Sequence, residues 1–330
     1  MRDLPQVTII ILTWNASRFL PACLKTLLTQ DYPAFSLIIV DNDSTDDTVA
    51  LARSLQSPTA FPAVQIIENR TNLGFAGGNN VALRQIESPF AVLLNPDVEL
   101  APTWLSELIA PMITDPNIGI AGCKIYEPDG ITLQHAGGYI TRPQALSGHY
   151  GLGERDIGQH DEIRDAEYVM GAAMAIRREV IQTVGLLDEG FFLYYEDVDY
   201  CERARRAGYR VAYIPGACLI HNESSTTHRG SAFYFSHMHA SRWRYMLKYY
   251  TADELVGQTV PAEMKWLEQR GHQERLGLQF AYHNAQRQLP FLWRRRTEYN
   301  EGDQAKAFDE VNAALEHLRS TLWGKSSGVD

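Results

Sequence analysis

The residues able to do chemistry fall in four separated places. Asn95-Pro96-Asp97 follows the apolar run Phe90–Leu94 and puts one carboxylate just past it, with an amide two residues before. A carboxylate so placed suits a hard divalent cation carrying a substrate phosphate, because such ions take oxygen ligands and keep positions for phosphate and water. The plain alternative is an aspartate that caps the helix opened by Pro102 and Trp104. In the second place, Phe191-Phe-Leu-Tyr-Tyr-Glu-Asp-Val-Asp199, aromatic side chains lead directly into Glu196, Asp197 and Asp199. Acids in a first helical turn are favoured by the helix dipole. The aromatic lead-in adds pocket walls that partly desolvate a carboxylate and lift its pKa toward that of a general base. Adjacent residues at a helix start point in different directions, so one or two of the three acids can face a ligand. The third place is His221, at the end of the apolar run Ala217–Ile220. A lone strand-end histidine is commonly structural; with Asp97 short of partners it is also a candidate metal ligand. The fourth is spread over three further strand ends: Thr13 and Asn15, Asp41 and Asp43, and Asn72.

The elements that hold these residues read from hydrophobic patterning. Val7–Leu12, Ser36–Val40, Val64–Glu68 and Phe90–Leu94 are strands, and most of them have no polar face. Between them run helices with apolar stripes at Phe19, Leu20, Cys23, Leu24, Leu27 and Leu28, then at Val49, Ala52 and Leu55, then at Val81, Leu83 and Ile86. Alternating helices and wholly apolar strands predict an α/β fold with a parallel sheet covered on both faces. Thr13 and Asn15, Asp41 and Asp43, Asn72, and Asn95 and Asp97 then lie outside the carboxyl ends of these strands, where open α/β sheets bind ligands. A cap explains any one of them, but one cap per helix would suffice. The first strand–helix turn, Thr13-Trp14-Asn15, has no glycine. Gly74-Phe-Ala-Gly-Gly78 follows the third strand, in a loop over Asn69–Gly78 that leads into the third helix, and matches neither the dinucleotide nor the P-loop pattern. Phosphates are therefore expected to meet a metal ion rather than a helix N-terminus.

Farther along, Ile118–Cys123 reads as a strand, residues 127–165 as long loops with short strands, and Ala166–Arg178 as a strand pair or one bent strand. A short helix over Glu179–Val184 follows. The helix from Glu196 to Ala207 ends on Gly208, Arg210–Ile214 is a strand broken by Pro215, and Ala217–His221 is another. From Ser231 the pattern is helical, with Trp243, Met246, Leu247 and Tyr250, then helices around Ala262–Gln269, Glu274–Gln288 and Gln304–Trp323, before a Gly-Lys-Ser-Ser-Gly tail at 324–328.

The formal net charge of −10 over 330 residues argues against a nucleic-acid partner, which needs a basic face. The four cysteines form no C-x-x-C pair, which predicts no zinc site or disulfide scaffold and a reducing compartment. Met1-Arg-Asp-Leu-Pro enters a strand at once, and no apolar run approaches the ~20 residues that span a bilayer. The expectation is a cytoplasmic protein. Arg294-Arg295-Arg296 beside Phe291, Leu292 and Trp293 suggests peripheral contact with the inner face of a membrane. The competing reading of these helices is a dimerisation or core-covering module, which leaves a homo-oligomer open.

Taken in order, these runs resemble the inverting glycosyltransferases of family 2, with the GT-A fold, over roughly residues 5–250. The carrying stretches are Val7–Asn15, Val40-Asp-Asn-Asp-Ser-Thr-Asp46, Asn72-Leu-Gly-Phe-Ala-Gly-Gly-Asn79, Asn95-Pro-Asp97, Phe191–Asp199 and Pro215–His221. The wording of the third and fourth is that of the rhamnosyltransferase-like subgroup. The resemblance implies a mostly parallel, Rossmann-like sheet, with a nucleotide-sugar half over about 1–125, an acceptor half over about 126–250, and a helical extension over 251–330. It also implies a nucleoside-diphosphate sugar donor, dTDP-L-rhamnose before a UDP-sugar, and a glycan or lipid-linked glycan acceptor. Thr13, Asn15, Asp41, Asp43, Asn72, Gly74, Asn79 and Asn95 would line the nucleotide. Asp97 and His221 would hold Mg²⁺ or Mn²⁺, Asp197 would be the base, and Glu196, Asp199, Tyr195 and Gly171 would face the acceptor. One departure is that Asn95 stands where the D-x-D motif has its first aspartate, so it brings no charge to the metal. A sugar-nucleotide pyrophosphorylase would need a glycine-rich, basic first loop, which Thr13-Trp14-Asn15 is not. A sugar-nucleotide-binding protein on an inactive transferase fold would be expected to lack the base or the ligands, yet Asp97, Asp197 and His221 are present.

Overall fold

A computed structural model describes residues 4–55, 64–222, 230–296 and 301–323. The tail at 324–328 lies outside them. The chain forms two compact units. The first is drawn from Met1–Tyr139, Gly148–Phe192 and Glu196–Glu223, and the second from Ile140–Ser147, Leu193–Tyr195 and Ser224–Asp330.

In the first unit the apolar runs become β1 (Val7–Thr13), β2 (Phe35–Asp41), β3 (Val64–Glu68) and β4 (Phe90–Leu94). Between them lie α1 (Leu20–Leu27), α2 (Thr48–Ser54) and α3 (Gly74–Leu83). The unit also holds β5 (Val98–Leu100), α4 (Trp104–Thr114), β6 (Ile118–Tyr126), β7 (Leu133–His135) and β10 (Arg164–Asp165), while β8 (Gly138–Thr141) and β9 (Leu146–His149) each have residues in both units. It closes with β11 (Ala173–Arg177), α5 (Arg178–Val184), α6 (Glu196–Arg206) and β12 (Arg210–His221). One sheet has the order β10-β12-β6-β11-β4-β1-β2-β3, with β5 on β12 and β7 on β6, and β8 pairs with β9 separately. The β4-β1-β2-β3 half is parallel, as the apolar strands predicted. Because β11 is antiparallel to both β4 and β6, the strands β6 and β12 point the same way as β1–β4. Ile9, Ile10, Ile11, Val92 and Leu93 are fully buried, so neighbours on opposite faces of one strand are both covered. Each such side chain contributes about 1.5–3 kcal/mol by leaving water. Trp104, Leu105, Leu108, Ile109 and Met112 of α4 pack into the core formed by β1, β4 and β6.

Three expectations about elements are corrected. Pro215 does not end a strand: β12 runs unbroken to His221, with a register shift between Ile214 and Cys218. A bulge of this kind absorbs a proline that has no N–H to give a regular ladder. Within Ala166–Arg178 only Ala173–Arg177 is a strand; Tyr168 makes one isolated bridge to Gly138. The glycine run is not a loop that precedes a helix, because α3 begins at Gly74 itself. Gly74 has φ +71°, and a Cβ there would lie 2.4 Å from the Phe192 carbonyl oxygen; a Cβ on Gly78 would lie 2.4 Å from Leu12 Cδ1. Gly78 lets α3 press onto β1, and Gly74 lets the start of α3 lie against the Phe192 backbone.

The second unit contains α7 (Ala232–Tyr249), α8 (Ala252–Glu254), a π-helical turn at Leu255–Thr259, α9 (Val260–Leu267), α10 (His272–Trp293) and α11 (Glu301–Trp323). The helix α7 groups with the C-terminal helices in this unit. Its buried Arg242 forms a two-pronged pair with Glu263, Nη1–Oε1 2.7 Å and Nη2–Oε2 2.9 Å. Tyr282 donates to Glu263 Oε2 (2.8 Å), and Arg242 Nη1 also donates to the Gln144 carbonyl (2.7 Å). The basic–aromatic cluster is not one surface patch: Leu292, Trp293 and Arg296 are buried, while Phe291, Arg294 and Arg295 are exposed. Arg296 lies over the Trp293 ring, so half of the cluster covers the helical core. Among the described residues no helix is long and apolar enough to cross a membrane.

Candidate active site

The β1–β2 register sets Thr13 beside Asp41. Thr13 Oγ1 donates to Asp41 Oδ1 at 2.9 Å, and Asp41 also accepts from the Ser44 N–H (2.8 Å) and Ser44 hydroxyl (2.6 Å). Both residues are buried, and their polar atoms hold the strand-end loop in shape. Asn15 and Asp43 are exposed and adopt φ +50° and +67°, a left-handed conformation that Asn and Asp tolerate better than most residues. Asn15 Oδ1 accepts from the Thr45 N–H (2.8 Å), which ties the two loops together. Asp46 joins them from below. Burial opposes its ionisation, but hydrogen bonds from Ser17 and Thr48 draw its pKa down to about 2. Asn72 Oδ1 caps the Gly74 N–H (2.8 Å). Asn79 is buried inside α3, with Nδ2 on the Phe75 carbonyl (3.0 Å) and Oδ1 without a hydrogen-bond partner.

Sequence reasoning passed over Asn42 and Asn80. Asn42 is buried and donates to the Gly74 carbonyl (3.0 Å) and to Asn72 Oδ1 (3.3 Å), while it accepts from Asn69 Nδ2 (2.8 Å). It fastens the end of β2 to the glycine run. Asn80 exchanges hydrogen bonds with Leu187, Nδ2 to its carbonyl at 2.9 Å and Oδ1 from its N–H at 3.0 Å, just before the aromatic run. An amide inside an otherwise apolar helical face was the available signal for Asn80.

Asp97 and His221 are brought together by strand pairing. The β12–β5 ladder sets His221 opposite Val98, and the Asn222 N–H donates to the Asp97 carbonyl at 2.8 Å. His221 Nε2 then lies 3.3 Å from Asp97 Oδ1, which is buried and has no hydrogen-bond partner. His221 Nδ1 lies 2.7 Å from Gln134 Oε1. With Nδ1 carrying the proton, Nε2 and Oδ1 are two lone pairs facing one another. Neighbouring ligands of an octahedral ion with ~2.1 Å bonds stand about 3 Å apart, so the pair fits the inner shell of a divalent cation. Among the described residues no group of three or more His, Cys, Asp or Glu is arranged to hold one. Two protein ligands leave the remaining positions to water and phosphate oxygens.

Asp197 opens α6 with both carboxylate oxygens engaged by backbone N–H groups, Gly171 to Oδ2 (2.9 Å) and Val198 to Oδ1 (2.8 Å). Burial raises its pKa, and these hydrogen bonds hold the rise in check. Glu196 is pushed well above the ordinary carboxylate range by burial and by the charges of Asp197 and Asp199, and its Oε2 has no partner. Of the two carboxyls Glu196 therefore holds a proton the more readily, and Asp197 is the one that ionises first. Gly171 is close-set: a Cβ would lie 3.1 Å from Phe75 Cζ and 3.6 Å from the Asp197 Cβ. The next residue, Ala172, accepts from the Asn95 N–H (2.9 Å), so the Gly171 loop is linked to the strand end that carries Asp97. Asp199 is fully buried and accepts from Arg203 Nε (2.9 Å), facing α6's own side. Tyr195 belongs to the second unit, where its hydroxyl donates to the Ala145 carbonyl (2.6 Å) and accepts from the Ser147 N–H (3.1 Å). Tyr194 and Tyr195 have φ +67° and +65°. Two successive aromatic residues in this region are strained, and such strain concentrates at functional sites.

The family model described as Glycosyl transferase family 2 matches residues 8–185. The uncharacterized protein y4gI of Sinorhizobium fredii is 33% identical over 238 residues, which is 68% of this chain and 25% of that protein. The O-antigen biosynthesis protein RfbC of Myxococcus xanthus is 32% identical over 235 residues, 68% of this chain and 18% of that one. The chain thus spans about a quarter or less of the length of these two relatives. The N-acetylglucosaminyl-diphospho-decaprenol L-rhamnosyltransferase of Mycobacterium tuberculosis is 25% identical over 262 residues, 72% of this chain and 83% of that enzyme. Among solved structures, GalNAc-T7 with UDP, GalNAc and Mn²⁺ superposes with a TM-score of 0.63 at 15% identity, over 86% of this chain and 55% of that one. The mannosyltransferase PcManGT of Pyrobaculum calidifontis with GDP-Man and Mn²⁺ gives 0.52 at 18% identity, over 99% and 80%. These likenesses show the GT-A fold.

Proposed function

This chain belongs to glycosyl transferase family 2, and from that premise we propose that it moves a sugar from a nucleoside-diphosphate donor to a hydroxyl of a glycan or lipid-linked glycan, with inversion and with a divalent cation. The observation that carries the reading is the Asp97–His221 pair, Oδ1 and Nε2 3.3 Å apart at a strand end where a donor diphosphate would lie. Mn²⁺ is present in the GalNAc-T7 and PcManGT structures, and the mixed oxygen–nitrogen pair suits it slightly better than Mg²⁺. When bound, the cation takes up negative charge that grows on the leaving phosphate. Asp97 and His221 would hold it. Asp197 takes the proton of the acceptor hydroxyl as that oxygen attacks the anomeric carbon, and the Gly171 N–H fixes the direction of the carboxylate. One base on the side away from the leaving group gives in-line displacement and inversion. The loops closed by Asp41, Asn42 and Asn15 shape the nucleotide end.

The donor we favour is dTDP-L-rhamnose. Support comes from the wording of Asn72–Asn79 and Asn95–Asp97, and from the mycobacterial relative named for L-rhamnosyl transfer. UDP in the GalNAc-T7 structure motivates a UDP-sugar as the second reading. A thermal-shift screen of dTDP-, UDP- and GDP-sugars with Mn²⁺, followed by ³¹P NMR of donor cleavage, tests both. The expected result is stabilisation and cleavage with dTDP-L-rhamnose. Tight binding of a UDP-hexose and none of a dTDP-sugar reverses the donor. Binding of a donor that is never cleaved points to a sugar-nucleotide-binding protein instead.

The metal has its own test. His221→Ala is expected to abolish Mn²⁺-dependent turnover while the circular-dichroism spectrum stays that of the wild type. Full activity of that variant in EDTA would count against a metal-dependent mechanism altogether.

A further inference from the structure

We propose that Gln134 is a positioning residue of the cation site: it fixes the tautomer of His221 so that Nε2, and not Nδ1, presents its lone pair beside Asp97. The inference rests on the metal-dependent reading above and adds to it a residue that no motif marks. Gln134 is the middle residue of the three-residue strand β7 and is fully buried, where an apolar side chain would ordinarily stand. Pairing of β7 with β6, His135 opposite Ile125 and Leu133 opposite Tyr126, holds its backbone in place.

The direction of its amide follows from Glu127 and His221. Gln134 Nε2 donates to Glu127 Oε2 at 3.4 Å, and Oε1 lies 2.7 Å from His221 Nδ1. A carboxylate accepts only, so the NH₂ must face Glu127 and the oxygen must face the imidazole. An amide oxygen accepts only, so Nδ1 must carry a hydrogen. A neutral imidazole has one N–H, and Nε2 is left as a bare lone pair facing Asp97 Oδ1 at 3.3 Å. Without Gln134 the more comfortable arrangement is the other tautomer, with Nε2–H donating to Asp97 and the lone pair turned away from the cation. The order Glu127, Gln134, His221 thus polarises the ring toward Nε2, as a carboxylate behind a metal-bound histidine does.

Two readouts test this on the full chain. In metal-free protein in alkaline buffer, where histidines are neutral, ¹⁵N–¹H long-range correlation NMR should show His221 with hydrogen on Nδ1. In Gln134→Leu the signal should move to the Nε2–H form. Mn²⁺ alone, titrated by water-proton relaxation enhancement, should bind Gln134→Leu roughly 10–100-fold more weakly than wild type, the usual loss when the partner behind a ligand is removed. A far-ultraviolet circular-dichroism spectrum and a thermal midpoint of Gln134→Leu close to those of wild type guard against a loss caused only by misfolding. A wild-type His221 with hydrogen on Nε2, or unchanged Mn²⁺ binding in Gln134→Leu, overturns the proposal. Equal Mn²⁺ binding by wild type and His221→Ala overturns the metal reading itself and the purpose given to Gln134, and the NMR result tells that case apart.

Discussion

Asp197→Asn is expected to lose roughly 10²–10⁴-fold in turnover, the size of a general-base contribution, while donor and Mn²⁺ binding stay near wild type. The substitution keeps the shape of the side chain, and its amide oxygen can still accept from Gly171; what disappears is the basicity. Steady-state kinetics with calorimetric donor binding checks both halves. The pH profile should also report the base. Burial lifts the Asp197 pKa, so activity should rise with pH through a limb above the ordinary carboxylate range, as the proton leaves Asp197. Glu196→Gln is the control. Burial and the neighbouring acids raise Glu196 further than Asp197, so Glu196 is the later of the two to ionise, and its amide is expected to keep most of the turnover. Near-normal turnover in Asp197→Asn, with a large loss in Glu196→Gln or Asp199→Asn, would falsify the assignment and move the base to that neighbour.

Arg242→Met should destabilise the helical unit by about 3–5 kcal/mol, because it leaves Glu263 buried without its partner. Both side chains are fully buried, and the guanidinium meets the carboxylate with two hydrogen bonds. Burial alone would raise the Glu263 pKa; the charge of Arg242 overrides it and holds the carboxyl lowered. The sign of the pH dependence should therefore reverse. In wild type the pair stabilises above the unfolded-state pKa of glutamate, about 4.3, and that stability is lost as acid protonates Glu263. In Arg242→Met the buried carboxyl keeps the hydrogen bonds of Tyr282 and Gln144 but loses its countercharge and prefers its proton, so the variant should be more stable in mild acid than at neutral pH. Urea unfolding followed by circular dichroism at both pH values reads this. A variant within 1 kcal/mol of wild type (about a fivefold change in the unfolding constant) would mean that the pair contributes little.

The sequence determined the local and the repetitive. Continuous apolar runs such as Val7–Leu12 and Phe90–Leu94 can satisfy themselves only as strands covered on both faces, so the sheet half with α1–α3 was legible without coordinates. Asn95-Pro96 announced the end of β4, and the acids after the aromatic run announced a helix start. What sequence could not supply was register between distant strands. Pro215 looked like a break because a local reading cannot see that β6 accommodates a bulge opposite it. The same ladder, continued to β5, decides that His221 meets Asp97. Gln134 was invisible because β7 is three residues long and carries no period, and its role exists only where β7 crosses behind His221. The helices followed the same division. Their existence came from periodicity, but which of them shares a core did not: α7 joined α10 through the buried Arg242–Glu263–Tyr282 network, and Trp293 and Arg296 turned inward. Local propensity fixes an element through contacts three or four residues apart, whereas a site or a buried charge pair is fixed by contacts between residues that only the folded sheet and helices bring within 3 Å.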